Sequence, residues 1–277
     1  MEDKKEEKMG ERRTSHELSV PQGGALAVPG RGFELKIERS DLIIPRAKLL
    51  QALSPEVVDG AKAGEIINSL LVEALPSRFV PVFCWKSYIR FNPRNRADVG
   101  FDPNFEAGAI LWRSTDPDDA RVQEETKFGP NGEKPLAMTS LNFFSFFPGV
   151  AMPVIVSFSK TSYKAGKQLL SLARFCGGDM WSRAYQLGAE LQTTDKGTFY
   201  TFTVATLGES SAEERTQAEA FWTAFSDKAA ELKVDQETEE EIGVSAHHRI
   251  SPTDTDYLTQ SIPSAERRLT SRLARLS

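Results

Sequence analysis

The chain has 277 residues, enough for one or two domains with a hydrophobic core. Its formal net charge of -5 argues against a protein that binds polyanions over its whole surface. Two widely separated cysteines, Cys84 and Cys176, exclude a disulfide framework and a zinc knuckle. The N-terminus lacks a signal-peptide pattern, and no run of about 18 apolar residues occurs. We therefore expect a cytoplasmic protein that does not span a membrane.

The charge is unevenly distributed along the chain. Residues 78–208 carry a net charge of +3, whereas residues 209–245 carry -8. A mildly basic middle followed by an acidic segment fits a protein that binds phosphates and also carries a segment for partners or for competition with nucleic acid. A soluble domain with an acidic linker explains the split equally well.

The first elements precede the aromatic middle of the chain. Residues 1–32 are charged and then rich in Gly and Pro, which predicts a flexible arm. Residues 33–44 show an alternating apolar pattern that predicts a strand ending before Pro45. Ser54, Pro55 and Glu56 then form the start signal of a short helix.

The middle of the chain contains strand-like runs interrupted by one helical segment. Apolar positions at helical spacing predict a helix over 161–175, ended by Gly177 and Gly178. The turn signal at 194–197 predicts a hairpin between the last two strands. The strand-like runs cover 79–91, 109–113, 138–147, 150–159, 182–192 and 198–207.

These elements predict a fold that is mainly β with flanking helices, in the α+β class. Three strands, a helix and two strands is the order of a five-stranded OB-fold-like barrel, with the helix between strands 3 and 4. A Ser-capped helix with an acidic first turn follows from Ser210. We expect a flexible arm at 1–32, a nucleic-acid-binding domain at 33–230, and at 231–277 an acidic disordered tail with a short basic C-terminal helix.

Aromatic and basic residues alternate through the predicted barrel. Bases stack on aromatic rings while nearby Lys and Arg neutralise phosphates, so this pattern indicates single-stranded nucleic-acid binding. Strand alternation puts Lys86, Tyr88 and Arg90 on one face, which we expect to be solvated. The full candidate set is Lys86, Tyr88, Arg90, Arg94, Arg96, Trp112, Arg113, Lys160, Tyr163, Lys164, Lys167, Arg183 and Tyr185.

Several of these residues also have a plain structural explanation. Lys160, Lys164 and Lys167 lie at i, i+4 and i+7 on one helical face, which can be a phosphate track or only a solvated face. Burial and base stacking are equally open for Trp112 and for Tyr185. Trp85 and the four rings Phe143, Phe144, Phe146 and Phe147 are expected in the core, since adjacent rings cannot all point outward from one strand.

Five segments of the chain form a recognisable set: 160–167 (KTSYKAGK), 180–185 (MWSRAY), 197–204 (GTFYTFTV), 44–48 (IPRAK) and 54–56 (SPE). Together they resemble segments of the single-stranded DNA-binding proteins encoded by some tailed bacteriophages. The resemblance covers roughly residues 35–225, and no single segment is diagnostic. It implies an OB-fold core and a non-enzymatic function in coating displaced strands during replication or recombination.

We expect no enzyme activity and no cofactor or metal. The three histidines, His16, His247 and His248, lie in the predicted tails, and no phosphate-binding glycine loop is present. An Asp-rich stretch at 116–119 is expected to be an ordinary polar loop.

The partners we expect are single-stranded DNA, a second copy of the chain, and replication proteins that bind the acidic segment Asp235 to Glu241. No membrane partner is expected. Two alternatives remain open: a phage virion or assembly protein without nucleic-acid binding, and an RNA-binding OB module.

Overall fold

A computed structural model describes residues 43–195, 197–228 and 233–234 of the chain. These residues form mostly β structure with a few helices, which confirms the α+β class. The strands are β1 (Ile43–Ile44), β2 (Ala47–Leu49), β3 (Ile66–Asn68), β4 (Arg78–Phe91), β5 (Ile110–Ser114), β6 (Ala137–Phe146), β7 (Val154–Ser159), β8 (Arg183–Thr194), β9 (Gly197–Glu209) and β10 (Lys233–Val234). The α-helices are α1 (Pro55–Val58), α2 (Ala120–Glu125), α3 (Tyr163–Phe175) and α4 (Ala212–Phe225).

The main sheet has the strand order β7-β6-β4-β8-β9, and β5 also pairs with β4. Strand β4 pairs antiparallel with β5, β6 and β8, and β6 pairs antiparallel with β7. Strands β4, β6 and β7 lie side by side, and β8 returns beside β4 after a long connection that contains α3; apart from β5 between β4 and β6 in the chain, this is the Greek-key arrangement. The ladders of the described residues do not close into a barrel, so the predicted five-stranded barrel is not confirmed.

The segment from Pro45 to Gln51 contacts both outer strands of the main sheet. On one side, the Ile155 N–H of β7 donates to the Pro45 carbonyl at 2.9 Å. On the other side, the Gln51 side-chain amide accepts from the Tyr200 N–H of β9 at 2.8 Å and donates to the Tyr200 carbonyl at 3.0 Å. In the described part of the chain, no regular ladder joins the outer strands β7 and β9. The contacts of Pro45 and Gln51 connect these two strands instead.

Helices α3 and α4 cover the two faces of the main sheet. Because successive side chains of a strand point to opposite faces, neighbouring residues enter different cores. Phe143 packs with Leu169 of α3 in one core, whereas the next residue, Phe144, packs with Phe221 of α4 in the other. All four rings of 143–147 are buried, which confirms the prediction that this cluster is core. Trp85 is half-buried against the α4 core, as predicted.

Helix α3 packs closely on β7 because Gly166 lies at the contact. A Cβ at Gly166 would come within 2.6 Å of the Phe158 Cβ, and the Phe158 ring is fully buried. The helix ends at the predicted glycines, Gly177 and Gly178, whose φ angles of 71° and 77° favour residues without a side chain.

Helix α4 begins with the predicted serine cap. The Ser211 hydroxyl accepts from the Glu214 N–H, and the Glu214 carboxylate accepts from the Ser211 N–H, which makes a capping box. Glu214 also accepts two hydrogen bonds from the Arg78 guanidinium, at 2.8 and 2.9 Å, and so ties α4 to the start of β4.

Other predictions are met only in part. Of the strand expected at 33–44, the structure describes Ile43–Ile44, which pairs in parallel with Lys233–Val234. At the predicted turn, the Thr194 hydroxyl donates to the Gly197 carbonyl at 3.1 Å. The flexible arm at 1–32 and the tail from 235 onward lie outside the described residues. No helix among the described residues is both long and apolar enough to cross a bilayer.

Candidate nucleic-acid interface

The thirteen predicted site residues differ widely in exposure. Three side chains are buried: Tyr88, Arg90 and Tyr185. Three are half-buried: Trp112, Tyr163 and Arg183. The seven exposed residues are all cations: Lys86, Arg94, Arg96, Arg113, Lys160, Lys164 and Lys167.

The prediction of a solvated β4 face is wrong for two of its three residues. Tyr88 and Arg90 are 8 % and 6 % exposed, whereas Lys86 on the same face is exposed. The Arg90 guanidinium donates to the carbonyls of Leu136 and Gly100 and lies 3.4 Å from the Glu125 carboxylate. Since Arg90 is buried and all three of its guanidinium nitrogens have a partner, it fixes the surrounding loops and is not available to a phosphate.

Trp112 of β5 is held by the short helix α2. Its indole N–H donates to Glu125 at 3.1 Å, and the Arg121 guanidinium lies 5.3 Å from the ring centroid. Asp119 caps α2 and accepts from Arg121 at 3.2 and 2.8 Å. These hydrogen bonds from Arg121 lower the pKa of Asp119 to about 2. Trp112 therefore already has a cation beside its ring.

Arg121 is a residue that the sequence analysis missed. It lies just after the Asp-rich stretch 116–119 that was expected to be a polar loop, and Asp119 was a usable helix-start signal. Arg113, the neighbour of Trp112, points to the opposite side of β5 and is exposed.

The start of α3 brings a ring and cations together. Tyr163 is half-buried, and the Lys167 ammonium lies 5.9 Å from its ring centroid. Burial, and then the neighbouring Tyr88, raises the pKa of Tyr163. Lys164 and Lys167 are exposed on the helix, as a phosphate-binding face requires.

The predicted helical spacing of the three lysines is wrong at Lys160. This residue has a φ of 43° and begins a 3₁₀ turn before α3, so it does not share the register of Lys164 and Lys167. The single α-helical face that we predicted therefore includes only the latter two lysines.

Tyr185 of β8 is 1 % exposed and packs 6.1 Å from the ring of Phe79. Of the two alternatives for Tyr185, the structure therefore shows burial, and no base can stack on this ring. Arg183 on the same strand is half-buried.

The loop after β4 presents the exposed Arg94 and Arg96. Asn92 is fully buried and shapes this loop, because its amide donates to the carbonyls of Asp102, Phe105 and Glu106. The loop backbone is thus fixed near its base.

The described residues contain two cysteine thiols and several scattered carboxylates. Within the described ranges, no group of three or more His, Cys, Asp or Glu side chains is arranged to hold a metal ion. Cys84 and Cys176 are free thiols, and burial raises the pKa of Cys84.

The fold and this surface define the class of the molecule: an α+β protein with a Greek-key antiparallel sheet, a helix packed on each face, and exposed cations beside partly buried rings. Residues 18–231 match the model of the Pam3 phage gp34-like protein family. The chain therefore belongs to this phage protein family. No curated protein and no solved structure matches the chain.

Proposed function

We propose that this protein binds single-stranded DNA with little sequence preference, as a non-enzymatic coating protein in replication or recombination. The observation that carries the proposal is the half-buried Tyr163 ring beside the Lys167 ammonium, with the exposed Lys164 on the same helix. Stacking on a ring contributes about 1–3 kcal/mol per base, and adjacent cations supply the salt-dependent part of the affinity.

The proposed binding surface runs from the start of α3 across the neighbouring face of β4. Lys86 and Tyr88 share a face with Cys84, which packs in the α3 core, and Tyr88 lies close enough to Tyr163 to raise its pKa. Lys86 therefore extends the cations of α3 along the sheet. Tyr88, Arg90 and Tyr185 are buried and are not part of the proposed contact with DNA.

An OB-fold-like architecture is the finer fold that we propose. The order β7-β6-β4-β8-β9, with α3 between the third and fourth strands of this set, supports it. The bridging contacts of Pro45 with β7 and of Gln51 with β9 also support it, because they join the two outer strands as a barrel closure would. OB-folds bind oligonucleotides on the strand face and in nearby loops.

The test compares DNA binding of the full chain with that of two matched double variants. Lys164→Glu with Lys167→Glu should weaken binding to oligo-dT and make the slope of log K against log salt shallower by about 1.4, at 0.7 per phosphate contact. Lys62→Glu with Lys134→Glu makes the same charge change at two exposed lysines outside the proposed surface and should leave the slope unchanged.

Equal effects of the two double variants would refute the proposed surface. Absence of any binding to oligo-dT would refute the function and favour a virion or assembly role. Tighter binding to oligo-U than to oligo-dT at matched salt would favour an RNA-binding module.

The acidic segment Asp235 to Glu241 lies outside the described residues, and we propose that it recruits replication proteins or competes with DNA. The proposal rests on the net charge of -8 over 209–245. A truncation after Val234 keeps the pairing of Lys233–Val234 with Ile43–Ile44. It should tighten DNA binding or remove a partner contact, and unchanged DNA and partner binding would contradict the role.

A further inference from the structure

The outer edge of β9 is covered by side chains. Gln51 binds both backbone groups of Tyr200, the Ser162 hydroxyl accepts from the Phe202 N–H at 3.1 Å, and the Gln168 amide donates to the Val204 carbonyl at 3.3 Å. Because an uncovered strand edge pairs readily with another chain, these three side chains protect β9 from such pairing.

The outer edge of β8 is covered only in its first half. Gln186 and Tyr185 pair with Arg78 and Phe79 of β4, and the Leu187 N–H donates to the Ser77 carbonyl at 2.7 Å. Beyond Leu187, no backbone hydrogen bond from the described residues reaches this edge. The strand nevertheless continues to Thr194.

Strand geometry identifies which backbone groups at this edge receive no hydrogen bond from the described part of the chain. The N–H and C=O of alternate residues point to the same edge of an antiparallel strand. Since the Leu187 N–H points to the β4 side, the groups of Ala189 and Leu191 do so as well. The register of the β8–β9 hairpin leads to the same result. Gly188 lies against Thr203, and this register sets Leu191 opposite Tyr200. The backbone groups of Tyr200 point away from β8 to Gln51, so those of Leu191 point away from β9.

This part of β8 carries few of the usual defences of an edge strand. Residues 188–192 (GAELQ) contain one charged residue, Glu190, and no lysine, arginine or proline. Leu191 is 53 % exposed on this stretch. An apolar side chain and open backbone groups thus occur at the same place.

We propose that a second copy of the chain pairs with this edge, antiparallel, through a two-fold contact centred on Leu191. In this register the two Leu191 residues exchange N–H to C=O hydrogen bonds and bury their side chains against each other. Each Glu190 then lies opposite the partner's Gln192, to which it can accept a hydrogen bond.

Two neighbouring registers are less favourable. A contact centred on Glu190 would set two carboxylates directly opposite each other, which is destabilising in a strand pair. A contact centred on Ala189 would require the backbone edge at Leu187, whose N–H already donates to Ser77. The register centred on Leu191 avoids both conflicts.

The test is the mass of the full chain in solution without DNA, measured by sedimentation or light scattering. The unmodified protein should have twice the 30.7 kDa mass of one chain. Leu191→Lys and Leu191→Glu should each reduce this to the mass of one chain, because like charges then meet at the two-fold axis. Mixing these two variants should restore the double mass.

Matched controls are Leu207→Lys and Leu207→Glu, which change another exposed leucine, 45 % exposed on β9, and should leave the double mass intact. Hydrogen exchange on the unmodified chain gives a second measurement: the Leu191 amide should become protected as protein concentration rises. A single-chain mass of the unmodified protein overturns the proposal. So does a double mass of either Leu191 variant, a mixture that stays single, or a Leu191 amide whose exchange ignores concentration.

Discussion

The Gln51 amide is a sharp test of how the main sheet is closed. Gln51→Met keeps a side chain of similar length and removes both hydrogen bonds to Tyr200, at 2.8 and 3.0 Å. Each such bond contributes about 1 kcal/mol net. Since Tyr200 and Gln51 are half-buried, water replaces part of the loss, and we expect the free energy of unfolding to fall by about 1–2 kcal/mol.

Urea denaturation measures this loss, and thermal unfolding should shift down by about 2–4 °C per kcal/mol. Hydrogen exchange at the Tyr200 amide should accelerate in Gln51→Met. The nearby substitution Ala52→Ser, at an exposed position outside the bridge, serves as the control and should change neither quantity. Unchanged stability together with unchanged exchange at Tyr200 would refute the bridging role of Gln51.

Two other predictions concern the helices that cover the sheet. Glu214→Gln should lower the free energy of unfolding by about 1–2 kcal/mol at neutral pH, since it weakens both the capping box and the contact with the partly exposed Arg78. Hydrogen bonds from Arg78 lower the pKa of Glu214, so this stabilisation is present above the ordinary glutamate pKa and is lost as pH falls through the lowered folded-state pKa. In urea denaturation, the difference in the free energy of unfolding between the native protein and Glu214→Gln should therefore shrink below about pH 4. A difference that does not change with pH would contradict this role of Glu214. Gly166→Ala should lower the melting temperature. Overpacking against Phe158 costs about 1–3 kcal/mol, which outweighs a helix-propensity gain of about 1 kcal/mol. An unchanged or raised melting temperature would show that α3 can move away from β7.

Local signals in the sequence were sufficient for several elements. The start of α4 depends on Ser211 and Glu214, three residues apart, and the end of α3 on two adjacent glycines. Both structures form from contacts within one helical turn, so the sequence around them contains the necessary information.

The exposure of the site residues was harder to predict. Alternation correctly groups Lys86, Tyr88 and Arg90 on one face, but it does not tell which parts of that face other elements cover. Burial of Arg90 depends on Leu136, Gly100 and Glu125, which come from three distant segments. The open edge of β8 was likewise invisible, because it depends on where β4 begins.

The most direct measurement of the central claim is a titration of labelled oligo-dT with the full chain over a range of salt concentrations. With Lys86, Lys164 and Lys167 each neutralising one phosphate, we predict tight binding at low salt and a slope of log K against log salt of about -2. No binding at low salt, or binding that salt does not change, would contradict a surface on which ammonium groups hold single-stranded DNA against the Tyr163 ring.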